Sequence, residues 1–191
     1  MILAIDPAST TGWAWFDGQE TRSGAIDLRP RKATKGKPAL AEIRTKKGVL
    51  KREARPAIPP TDDEPEVMRI FRFRDFLNDI HQVRPIDFLV HESPLEHHAG
   101  AKAAQVAWEL RTTMVLFASE HNIPREEIKP FDLQRHALGR AARPKSNDML
   151  DAARAFFGYA GHEHNEADAI VILDYGKKRY AKIMEGVPTC P

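Results

Sequence analysis

The chain opens with an apolar run that stops at a charge. Residues 1–8 (MILAIDPA) read as a strand ending at Asp6-Pro7, since proline donates no ladder hydrogen bond. Residues 12–17 (GWAWFD) predict a second strand, turning at Asp17-Gly18, and residues 20–28 (ETRSGAIDL) a third. Three short strands joined by tight turns form an antiparallel meander. Residues 29–60 break the pattern with five prolines and few large apolar side chains. Within them, EIRTKKGVLKRE predicts a small hairpin turning near Lys47-Gly48.

Helical periodicity then takes over. DDEPE at 62–66 suits a helix N-terminus, and Val67, Ile70, Phe71, Phe76, Leu77 and Ile80 recur at helical spacing until Pro85. Residues 86–90 (IDFLV) predict a buried strand, followed by His91-Glu92-Ser93-Pro94. Residues 101–121 predict a long helix that closes before Pro124, and residues 128–133 a further strand. Ser146 is a suitable N-cap for a helix ending at Gly158. Residues 166–180 predict a last helix, although IVIL alone is compatible with a strand. The order β-β-β-α-β-α-β-α-α defines an α/β fold, a mixed sheet flanked by helices. There is no internal repeat, and 191 residues predict a single domain with a basic insertion at about 29–60.

Composition narrows the class. With 42% hydrophobic and 29% charged residues the chain is ordinary for a globular protein. No apolar run approaches the ~20 residues that span a bilayer, so no membrane partner is expected. The N-terminus lacks a basic leader and reads as a strand, not a signal peptide. The only cysteine, Cys190, allows neither an internal disulfide nor a cysteine metal cluster. These features predict a cytoplasmic protein. The net charge of +2 conceals an asymmetry: residues 29–55 hold eleven Lys/Arg and two Glu, while the remainder holds 18 basic and 25 acidic residues. A basic block on an acidic body points to a polyanion, with Arg31, Lys32, Lys46 and Lys47 as candidate phosphate contacts. Its other reading is a solvated loop.

Three acids from distant segments carry the candidate chemistry: Asp6, Glu92 and Asp168. Asp6 and Glu92 end apolar strand-like runs, where a charge is costly to bury without a partner. Gathered carboxylates repel one another, and a divalent cation is the usual reason to gather them. Taken singly, Asp6 is also a common turn residue, and Glu92 has many arginines with which to pair. The polar turn Ser9-Thr10-Thr11-Gly12 is suited to a phosphate; similar turns open the actin-like kinases, which need far more chain. On a helix, His164 and Asn165 share the face of Asp168, whereas Glu166 points ~200° away and suits the helix N-terminus instead. His162, Glu163 and His164, and likewise His97-His98, have the look of transition-metal clusters, but hard oxygen ligands from separate elements favour Mg²⁺ or Mn²⁺ over Zn²⁺.

Taken in order, ILAIDPASTTGWA, FLVHESP, KSNDML and NEADAIVIL resemble the RuvC family of Holliday-junction resolvases, within the RNase H-like superfamily. The resemblance covers most of the chain. Residues 29–60 have no counterpart in the compact bacterial form and look like the insertion of a phage-type variant. The resemblance implies a five-stranded RNase H-like sheet and four metal-facing residues, which fall on Asp6, Glu92, Asn165 and Asp168. Asn165 departs from the pattern, where an acid is commonest, and His164 or Glu166 are candidates to compensate. The implied reaction is phosphodiester hydrolysis with two Mg²⁺ or Mn²⁺ ions per active site: Asp6 bridges both, Glu92 serves the leaving-group side, and Asp168 with Asn165 the water side. Lys145 is implied to meet the scissile-strand phosphates. A homodimer acting on a four-way DNA junction follows, with the 101–121 helix as its candidate interface. A broader branched-DNA or flap nuclease, and an RNase H-like module that only binds nucleic acid, are the competing readings.

Overall fold

The computed structural model describes residues 1–33, 40–44, 50–54, 63–94, 100–139 and 147–184, with backbone alone in 40–44, 50–54 and 182–184. Two compact units are present, Arg29–Arg69 and the remainder.

The larger unit is built on the opening meander. β1 (Ile2–Asp6), β2 (Thr10–Phe16) and β3 (Thr21–Asp27) pair antiparallel, with Asp6 opposite Gly12 and Thr10 opposite Asp27. The Asp17-Gly18 turn forms as expected. Gly18 has φ +101°, and Asp17 Oδ1 accepts from the backbone N–H groups of Gln19 and Glu20, both at 2.9 Å. After α1 (Met68–Val83) the chain enters β6 (Phe88–Glu92), parallel to β1, with Ile5 opposite His91. After α2 (Ala101–Glu120) it enters β7 (Arg125–Ile128), parallel to β6. The sheet order is β3-β2-β1-β6-β7, an α/β fold with a mixed five-stranded sheet.

β1 is buried on both faces, and its side chains alternate between two cores. Leu3 and Ile5 join Phe73 and Leu77 of α1 with Leu110, Met114 and Phe117 of α2. Ile2 and Ala4 face the other way, into a core closed by α3 (Pro130–Leu138), α4 (Asp148–Phe156) and α5 (His164–Met184). That second face is lined by small residues. A methyl group on Gly12 would fall on the carbonyl of Asn165, and one on Gly176 would lie 2.6 Å from Val90 Cγ1. Helix α5 is thus seated on the sheet at two glycines, one in the sheet and one in the helix.

Three expectations are corrected. The strand expected at residues 128–133 ends at Ile128, and Pro130 instead starts α3. Lys129 is extended at φ −70° and ψ 140°, Pro130 supplies a helix-ready φ, and Gly139 closes the helix at φ +65°. Second, Thr10, Thr11 and Gly12 belong to β2 and not to an open turn. The Thr11 hydroxyl is buried and donates to the Ala8 carbonyl at 2.6 Å, leaving it unavailable to a phosphate. Third, α5 begins at His164, two residues before the expected start.

In the smaller unit, β4 (Leu40–Arg44) and β5 (Leu50–Ala54) pair antiparallel with Arg44 opposite Leu50. The ribbon read from EIRTKKGVLKRE is there; its turn lies outside the described residues. Elsewhere in this unit the Arg31 backbone N–H donates to Glu64 at 2.8 Å and its carbonyl accepts from the Glu64 N–H at 3.0 Å.

Candidate active site

Strand alternation places Asp6 and Glu92 on the same face of adjacent parallel strands, both at the carboxyl end of the sheet. That face is the one α5 covers. Because Gly12 lies opposite Asp6 and carries no side chain, the first turn of α5 comes down directly beside the end of β1. Asp168, one turn further along the helix, is thereby brought within electrostatic reach of both strand-end acids. The three carboxylates named from the sequence therefore converge, from residues 6, 92 and 168.

Their environment is hostile to charge. Burial first, and then repulsion from Glu92, Asp168 and Glu163, raises the Asp6 carboxyl well above its ordinary range. Burial and the neighbouring Asp168 push Glu92 to about 8. Burial pushes Asp168 to about 6, with His164 acting against that rise and Glu163 adding to it. Among the described residues, no lysine or arginine forms an ion pair with Asp6, Glu92 or Asp168. Structural ion-pair clusters look different: elsewhere in this sheet Glu126 is met by Arg179 at 2.7 Å and Glu127 by Arg111 at 2.6 Å. Asp6 and Glu92 border a cleft of about 370 Å³ with Ala8, Ser9, Thr10, Ser93 and Asn165.

Asn165 reaches this cleft, but its amide is engaged, donating to Glu163 at 3.1 Å. His164 bears on Asp168 as the helical spacing predicts. Glu166 points away: it accepts from Ser23 at 2.7 Å and from the Tyr159 hydroxyl at 3.0 Å. Glu163 is the acid that the helical spacing did not single out. It caps α5, accepting from the Glu166 backbone N–H at 2.7 Å, and its charge acts on both Asp6 and Asp168. An acid three residues before a helical N–H is a capping signal that the sequence contains.

His162 lies against Arg154 at 2.6 Å, so the His162-Glu163-His164 run splits among three neighbours. Arg31 and Lys32 are exposed in the smaller unit. Lys46, Lys47, Lys145, His97 and His98 lie outside the described residues. Among the described residues, no group of three His, Cys, Asp or Glu side chains is drawn tightly enough to enclose an ion as it stands. The donors nonetheless suit a hard divalent cation: three oxygen-bearing acids, uncompensated by basic side chains, with an amide oxygen beside them.

An antiparallel meander continued by two parallel strands, with an acidic cleft where β1 and β6 end, defines the RNase H-like class of fold. Solved structures of RuvC share it. The chain is similar to the Thermus thermophilus RuvC structure at 15% identity and a TM-score of 0.57, covering 97% of this chain and 96% of that one. It is similar to T. thermophilus RuvC in complex with a Holliday junction substrate at 16% identity and a TM-score of 0.58, with 97% and 96% covered. No protein-family model and no curated protein matches the sequence.

Proposed function

We propose that this chain is a metal-dependent, structure-selective endodeoxyribonuclease that resolves four-way DNA junctions by paired phosphodiester hydrolysis. One observation carries the reading. Asp6, Glu92 and Asp168 are gathered from three elements, the first buried and the other two half-buried, raised in pKa and unpaired by lysine or arginine among the described residues. Holding like charges together costs stability, and a cation-dependent task offsets it. Asp6, Glu92 and Asp168, with the Asn165 amide oxygen, would hold Mg²⁺ or Mn²⁺. Two such ions would neutralise the scissile phosphate and supply an activated water. The chain's own part is to keep the described basic side chains from pairing with the acids and to hold those acids on two strand ends and one helix.

The RuvC neighbour bound to a Holliday junction supports branched DNA as the substrate class. Two symmetric cuts across a junction need two sites related by a two-fold axis. The exposed stripe Gln105, Trp108, Thr112 and Leu116 along α2 supports that helix as the homodimer contact. One observation favours a second reading, an RNase H-like module that binds without cutting. Asn165 is neutral where an acid would bring a charge, which weakens a second ion's site; its amide nitrogen donates to Glu163 and leaves only the oxygen for an ion.

Cleavage of a labelled synthetic four-way junction in Mg²⁺, Mn²⁺ or EDTA, beside Asp6→Asn and a matched duplex, separates the readings. Metal-dependent paired nicks, lost in Asp6→Asn and absent on duplex, are the expected result. Equal cutting of forks and flaps would mean a general branched-DNA nuclease. Tight binding with no cutting in any metal would sink the catalytic reading.

A further inference from the structure

Behind Glu92, on the opposite face of the sheet, lies a polar assembly that the acidic cleft does not use. Glu127 of β7 is directly opposite His91 of β6, so both project toward α2. Arg111 of α2 grips Glu127 with two nitrogens: Nε at 3.0 and 2.9 Å from the two carboxylate oxygens, and an Nη at 2.6 Å from one of them. The same carboxylate accepts from the Ser93 hydroxyl at 2.7 Å. Ser93 also donates its backbone N–H to the Ile128 carbonyl at 2.8 Å. On the other side of Glu92, the fully buried His91 sets Nδ1 3.1 Å from the Glu92 carbonyl, and its Nε2 is buried with no partner among the described residues. A carbonyl oxygen can only accept, so Nδ1 carries the hydrogen and donates. Glu92 is therefore a carboxylate without a hydrogen-bond or ion-pair partner among the described residues, on a backbone held on both sides.

We infer that Glu127 is a positioning residue for Glu92, with Arg111 and Ser93 forming a bracket that fixes where the Glu92 carboxylate stands in the cleft. This inference rests on the nuclease reading. Two features of the bracket argue for it over a plain surface ion pair. It ends on the residue next to Glu92 instead of on a distant loop, and Glu127 is only 21% exposed, with both its oxygens engaged. The paired hydrogen bonds of Arg111 make the arrangement directional, so the Ser93 hydroxyl has one place to go. Groups that orient a metal-binding residue without touching the ion govern affinity and turnover, typically by 10- to 100-fold.

The test uses the whole chain and three variants. Ser93→Ala removes one leg of the bracket and leaves the Arg111–Glu127 pair intact, so its fold is safe. Glu127→Ala removes the hub, and Glu127→Gln restores an oxygen for Ser93. Three quantities are measured on each: Mn²⁺ affinity by calorimetry, kcat and KM on a four-way junction, and hydrogen exchange of the Ser93 amide in metal-free buffer. Expected for Ser93→Ala and Glu127→Ala are Mn²⁺ affinity and kcat roughly 10- to 100-fold lower, with KM unchanged. The Ser93 amide should exchange faster while β1 amides do not, and Glu127→Gln should recover much of the loss. Should Glu127→Ala fail to fold, Ser93→Ala decides. Wild-type Mn²⁺ affinity and kcat in Ser93→Ala would overturn the positioning role and leave the nuclease reading standing. A wild-type chain that neither binds Mn²⁺ nor cuts any junction would overturn the nuclease reading and this inference with it.

Discussion

At the scale of single residues, Asp6 makes opposite demands on stability and on function. Its carboxyl is buried among Glu92, Asp168 and Glu163, so in the metal-free chain its charge is a burden. Asp6→Asn removes that charge at nearly constant shape. We expect the variant to melt at higher temperature than the wild type in EDTA at pH 8, while junction cleavage falls by about 100-fold or more. A lower melting temperature would contradict the repulsion described here. The pH dependence follows from the same groups. Glu92 and Asp168 rise from ordinary values of 4.5 and 3.8 to about 8 and about 6, and Asp6 is raised as well. Between about pH 4 and 8 the folded chain thus binds more protons than the unfolded chain, and stability falls as pH rises through that window, by on the order of a few kcal/mol. Thermal melts in EDTA from pH 5 to 8.5 measure this, and Mn²⁺ at pH 8 should restore most of the loss. Glu166→Gln provides the contrast. Its side chain is turned toward Ser23 and Tyr159, so cleavage should stay within about twofold of wild type, with at most ~1 kcal/mol lost in stability.

At the scale of elements, the seat of α5 decides whether the acids meet. Gly12→Ala would place a methyl group on the Asn165 carbonyl, and relief requires the first turn of the helix to lift off the sheet. Overpacking of this kind costs about 1–3 kcal/mol. Cleavage should fall further than that loss of folded protein explains, since Asp168 moves with the helix; a melt and a cleavage assay on one preparation test it. Much of this arrangement is legible in the residues. Asp6 and Glu92 each end an apolar run, which is where a parallel strand delivers a side chain to a cleft, and helical spacing separates Asn165 from Glu166. The role of Gly12 is not legible, because a glycine excused by an approaching helix looks the same in sequence as one in a turn. Helix α3 is hidden for a different reason. Ile128, Phe131 and Leu133 suggest a strand by composition, and only Pro130 at the first position and Gly139 at the end reveal the helix. Glu163 escapes a reading by spacing because its place in the site depends on a cap, a hydrogen bond formed only once α5 exists.

At the scale of the whole molecule, charge is divided as chemistry and binding would require. The three acids lie outside the basic excess of residues 29–55, so on the proposed reading phosphate attraction and metal binding would use separate stretches of chain. Neutralising Arg31, Lys32, Lys46 and Lys47 together should weaken junction binding and flatten its salt dependence, by up to about 0.9 in log–log slope for each phosphate no longer neutralised. Metal-dependent kcat at saturating DNA should be preserved, and a fall in kcat with unchanged salt slope would argue against the division. The long route between the acids has a final consequence for biosynthesis. Asp6 and Glu92 precede Asp168 in the chain, and α5 brings that last acid onto a sheet whose five strands all come before it. A chain made only as far as β7 thus has all five strands and two of the acids but lacks Asp168. On the proposed reading, a copy cut short before α5 would lack one of its metal-holding acids and would be unable to cut DNA during its own synthesis.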